Sequence, residues 1–81
     1  MKSIFEDGIV YFKITPIKNP GSDYIYEGLE LIYEEEEEIS WEIDEYELTE
    51  EDLNEMYEDE FCDIEASEFN EAHNKASEFL S

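Results

Sequence analysis

Two side chains that often carry chemistry occur once each: Cys62, and His73 eleven residues further on in the stretch EAHNKAS. A hydrolase needs a nucleophile, a base and a loop of oxyanion donors, and no glycine lies near either residue. One cysteine and one histidine also fall short of a zinc site within one chain, and a lone cysteine builds no disulfide framework. Gly8, Gly21 and Gly28 are scattered, which removes the phosphate-cradling loops that need glycine runs beside a lysine. No glycine follows Gly28, so the spaced calcium loop is missing as well. These residues point to a chain that is not an enzyme and carries no cofactor or metal.

What remains in quantity is carboxylate. Twenty-six acidic residues stand against four lysines and no arginine, for a formal charge of −22. Acid–base catalysis needs two carboxyls in distinct environments within a pocket, whereas here they are spread over surfaces in dozens. The acidity belongs to the middle: Met1 to Ser22 is net +1, Asp23 to Glu71 holds 23 acids and no base, and Ala72 to Ser81 is neutral. Nucleic acid is excluded as a direct ligand, because phosphate neutralisation requires basic side chains. Anionic membranes would repel the chain for the same reason. No apolar run approaches the length of a membrane span and MKSIFEDG lacks a signal-peptide core, so a soluble, cytoplasmic protein is expected.

Such a charge is typical of disordered tails, but Leu, Ile, Val and Phe make up about a quarter of the residues and recur with clear periods. One small domain over residues 1–81 is expected, with strands over about 8–47 and helices over about 50–80. In GIVYFKIT (Gly8 to Thr15) the alternation of two residues predicts a strand, and Asp7-Gly8 before it suits a tiny hairpin with Ile4 and Phe5. Asn19-Pro20-Gly21-Ser22 suits a type II turn with glycine at the positive-φ position. The return strand is YIYEGLELIYE, where a bulge at Gly28 would bring Tyr24, Tyr26, Leu29, Leu31 and Tyr33 to one face. Ile39, Trp41 and Ile43 alternate with Glu38, Ser40, Glu42 and Asp44, giving a third strand with one apolar and one anionic face.

Thr49-Glu50-Glu51-Asp52 then reads as a capping-box helix start with three carboxylates in the first turn. Leu53, Met56, Tyr57 and Phe61 follow at helical spacing, and Ile64, Phe69, Ala72, Ala76, Phe79 and Leu80 continue the stripe slightly out of phase. The fold class is therefore α+β: a three-stranded antiparallel meander followed by one or two C-terminal helices packed on one sheet face.

A compact domain of this length spans roughly 30 Å, and that length of duplex DNA carries roughly 18 charges. The chain has the same linear density. Same-face strand residues repeat every 6.6–6.8 Å or so, and helix residues i and i+4 stand about 6 Å apart, both near phosphate spacing. Glu42 and Asp44 fall on a strand's outer face, while Glu51, Glu55 and Asp59 form a helical row with Glu58 beside it. Glu35, Glu37, Glu45, Glu47, Glu60 and Asp63 complete the candidate partner-binding carboxylates, with Tyr46 and Tyr57 as candidate aromatic anchors. Solubility needs a net charge of only about 2–8 in magnitude. The excess calls for a basic partner.

In composition, size and the acidic stretch Asp23 to Glu71, the chain resembles the small phage-encoded DNA mimics, including anti-restriction and several anti-CRISPR proteins. The segment Tyr57-Glu58-Asp59-Glu60-Phe61 is similar to parts of the type II anti-CRISPR inhibitors. The resemblance implies a phage protein that occupies the DNA-binding cleft of a CRISPR or restriction nuclease, its carboxylates in place of phosphates. It implies no direct contact with nucleic acid. The alternative is an acidic adaptor or antitoxin-like protein that binds a basic partner without mimicry. The charge of −22 per chain opposes self-association, and the sequence leaves the oligomeric state open.

Overall fold

The computed structural model describes residues 1–81, which form four strands and two helices: β1 (Lys2–Phe5), β2 (Gly8–Pro16), β3 (Tyr26–Glu34), β4 (Ser40–Leu48), α1 (Glu50–Glu58) and α2 (Ala66–Leu80). The strands make one antiparallel sheet in sequence order, β1-β2-β3-β4. The sheet thus has four strands where the long runs of alternation predict three. The extra one is the short hairpin before Gly8, in which Phe5 pairs with Gly8 across the two-residue turn Glu6-Asp7.

Alternation decides the two faces. Ile9, Tyr11, Leu29, Leu31, Tyr33, Trp41 and Ile43 share one side through the pairings Ile9↔Tyr33↔Trp41, Tyr11↔Leu31↔Ile43 and Lys13↔Leu29↔Glu45. α2 lies against this side with Phe69, Ala72 and Ala76, spaced i, i+3, i+7, and these three join Leu31 and Trp41 in the core. The two alanines have no bulk to hold the helix away, so the Trp41 ring fits between Tyr33, 4.8 Å off, and Tyr11, stacked at 6.3 Å. Phe79 and Leu80, expected on the same stripe, are about half exposed.

The opposite face has a small core of its own. Phe12 is buried there, stacked on Tyr46 at 6.2 Å and met edge-on by Phe61 at 6.5 Å. Phe61 follows α1, so the expectation that both helices pack on one face is corrected: α2 covers the core face, while the chain leaving α1 closes on the other. Between them Cys62 pairs with Lys2, exchanging two backbone hydrogen bonds at 2.8 Å, and so caps the start of the outer edge of β1. The helical region is two helices because Glu60 takes a left-handed φ of 57° and turns the chain.

Three local expectations fail. No bulge occurs at Gly28, and the register runs unbroken through Ile14↔Gly28↔Tyr46. Tyr26 therefore faces away from Leu29, Leu31 and Tyr33, while Tyr24 precedes the strand. Glycine is needed there because a Cβ would run into the Phe12 ring. The Asn19 to Ser22 segment is no type II turn, since Gly21 lacks positive φ and Asn19 has φ 58°. Asparagine tolerates that region through its short polar side chain. Ile39, finally, lies outside β4 and is 56% exposed, leaving Trp41 and Ile43 to hold the strand.

Candidate carboxylate interface

β4 seats four of the candidate carboxylates, and its pleat divides them in two. Glu42, Asp44 and Tyr46 point to the face away from α2, where Asp44 stands opposite Glu30 and Glu42 opposite Ile32. Glu45 and Glu47 point to the α2 side, beyond the end of the core, opposite Leu29 and Glu27. With Lys13 and Thr15 they line a shallow open groove. The strand candidates are therefore not one row but two, on opposite faces.

The others flank β4 at its two ends. Glu35 and Glu37 lie in the loop before it, and the backbone N–H of Glu35 donates to Asp7 O at 2.8 Å, tying that loop to the first hairpin. Glu51, Glu55 and Glu58 lie exposed on α1 after it. Thr49 starts α1 as expected: its Oγ1 accepts from Asp52 N at 3.2 Å, and Asp52 Oδ2 accepts from Thr49 N at 3.0 Å. Asp59 is the C-cap, its N–H donating to Glu55 O and Met56 O, so it closes the Glu51–Glu55 row from just outside the helix. Glu60 and Asp63 belong to the linker between α1 and α2, which touches β1 through Cys62. Of the two candidate anchors, Tyr57 is 56% exposed, while Tyr46 is held on Phe12 and donates to Glu30 Oε1 at 3.2 Å.

Sequence reading missed Glu30, Glu34 and Glu27. Glu30 stands in register with Asp44, and Glu27 with Glu47, so like charges face each other across the ladder. Partial burial pushes the Glu30 carboxyl above its ordinary value, against the lowering effect of the Tyr46 hydrogen bond and with help from Asp44 and Glu42. The Tyr46 hydroxyl is raised in turn, chiefly by the Glu30 charge. Only the strand parity of Glu30, out of phase with Leu29 and Leu31, hints at this cluster in the sequence.

Compensation is sparse. The one ion pair joins Lys2 Nζ to Glu68 Oε2 at 2.8 Å, and Lys13 stands over the Phe69 ring at 5.9 Å. No three His, Cys, Asp or Glu side chains are placed together to hold a metal ion, and no helix is long and apolar enough to cross a membrane.

Fold and surface define a class: a four-stranded antiparallel α+β domain whose edge strand carries carboxylates on both faces. Compared with protein-family models, curated proteins and solved structures, the chain matches none of them.

Proposed function

We propose that the chain is an inhibitor that occupies the cationic nucleic-acid-binding site of a host defence nuclease, of the CRISPR or restriction type, and competes there with DNA. The observation that carries this reading is linear charge density. The longest axis of the molecule is 41 Å, longer than the span expected of a compact sphere. A duplex of that length carries roughly 24 charges, against the chain's net −22. Arginine and lysine side chains that grip phosphates meet carboxylates instead, through charge-assisted hydrogen bonds.

The test is a competition assay: a nuclease of either type, bound to a labelled cognate duplex, is titrated with the protein at low and physiological salt. Displacement of the duplex, weakening steeply as salt rises, is the expected result. A complex that forms while the duplex stays bound means that the partner site is not the DNA site. That outcome favours the second reading, an acidic adaptor, which draws on the division of the strand carboxylates between two faces.

A further inference from the structure

The free edge of the sheet has backbone groups to offer as well as charge. Phe12 exchanges both backbone hydrogen bonds with Met1 at 2.8 Å, and Ile17 N donates to Ile25 O at 2.9 Å. In β2, then, even-numbered residues bond towards β1 and odd-numbered ones towards β3. The alternation of an antiparallel ladder carries this parity across the sheet. The odd residues of β3 bond to β2 and its even residues to β4. In β4 the even residues are thereby used, and Trp41, Ile43, Glu45 and Glu47 aim their N–H and C=O groups outward. None of these four makes a hydrogen bond elsewhere in the chain. The opposite edge is shorter and partly taken, since Lys2 of β1 already bonds to Cys62.

We propose that β4 receives an extended, lysine- or arginine-bearing segment of the partner protein as a fifth strand of the sheet. This rests on the reading of a basic partner and specifies how it is held. The four outward residues span about 20 Å, room for a strand of six or seven residues. Charge selects the occupant. Glu42 and Asp44 flank the edge on one face, Glu45 and Glu47 on the other, so basic side chains on both faces of the incoming strand are matched. Apolar ones suit the Trp41–Ile43 end. A second copy of this chain is disfavoured, because pairing β4 with itself sets four carboxylates beside four more. The same carboxylates that protect the edge from self-association leave it open to a cationic strand.

The experiment uses the intact protein and a capped peptide of about nine residues in which adjacent lysine pairs, one lysine on each face of the strand, are separated by valine and threonine. A second peptide of identical charge carries N-methyl groups on alternate backbone amides. Two variants separate charge from backbone: Glu45→Pro removes an outward N–H and a carboxylate, whereas Glu45→Gln removes the carboxylate alone. Proline is tolerated at an edge position whose N–H faces solvent, and circular dichroism confirms folding. Amide exchange at Trp41, Ile43, Glu45 and Glu47 should slow by about tenfold or more with the first peptide and not with the second. Glu45→Pro should weaken binding by about tenfold and Glu45→Gln by only two- to threefold. Equal binding of both peptides, or equal losses in both variants, overturns the strand-addition proposal. So does failure of the first peptide to bind or to protect these amides. DNA displacement in the competition assay alongside any of those results leaves the mimic standing. Protection of β4 while a nuclease keeps its duplex overturns the mimic alone.

Discussion

Tyr46 donates its phenolic hydrogen to Glu30 Oε1 at 3.2 Å, although Asp44 stands directly across the ladder from that same carboxylate. The hydrogen bond does not outweigh the cost of placing Glu30 there, since burial and the neighbouring charges keep its carboxyl raised.

A carboxyl whose folded value exceeds its unfolded one reduces stability fully above the folded value. That loss is recovered as pH falls through the folded value towards the ordinary one. Glu30→Gln keeps an acceptor for Tyr46 and removes the charge opposite Asp44, a change of about 0.5 kcal/mol on the scale of cross-strand pairs. Its Tm should exceed that of the parent by roughly 2–4 °C at pH 7, and thermal melts should show the difference closing by about pH 4.

Gly28 is fixed by the Phe12 ring, which lies between Tyr46 and Phe61 and has little room to move. Gly28→Ala should cost about 1–3 kcal/mol through overpacking. Urea unfolding of the double variant Gly28→Ala/Phe12→Leu should recover part of that loss, because the smaller side chain frees the site. Strict additivity of the two changes would contradict the contact.

Glu60 holds a left-handed φ that costs a side-chain-bearing residue about 1–2 kcal/mol. Glu60→Gly should raise stability by about 1 kcal/mol, whereas Glu60→Gln, which removes only the charge, should raise it much less. Equal gains in urea titrations would assign the effect to charge.

Ionic strength should act oppositely on the free protein and on its complex. With one ion pair in the fold, salt mainly screens repulsion, so Tm should rise by several degrees between about 0.01 M and 0.15 M salt, as the Debye length falls from about 30 Å to 8 Å. Over the same range affinity for a basic partner should fall by about tenfold or more. A Tm unchanged by salt would show that repulsion is not what limits stability.

Reversing Glu42, Asp44, Glu51 and Glu55 to lysine should abolish DNA displacement, a loss of about a hundredfold or more. Reversal of Glu35 and Glu37, on the β3–β4 loop, should cost far less because a strand and a helix fix carboxylate spacing better than a loop does. Full competition by the fourfold variant would place the interface elsewhere.

Hydropathy alternation and capping chemistry are local, which is why β2, β4 and the Thr49 start of α1 can be read from the residues themselves. The same holds for Trp41, whose burial follows from its phase with Ile43. The presence of dense, uncompensated carboxylate is likewise written in the composition. Tertiary structure decided the rest, because it turns on partners distant in sequence. The need for Gly28 comes from Phe12, sixteen residues away and one strand over. The facing of Glu30 to Asp44 comes from the β3–β4 register, and the separation of Glu42 and Asp44 from Glu45 and Glu47 acquires meaning only once α2 covers one face. Composition determined that the protein is anionic. Pairing and packing determined which carboxylates stand together and left the outer edge of β4 unpaired between them.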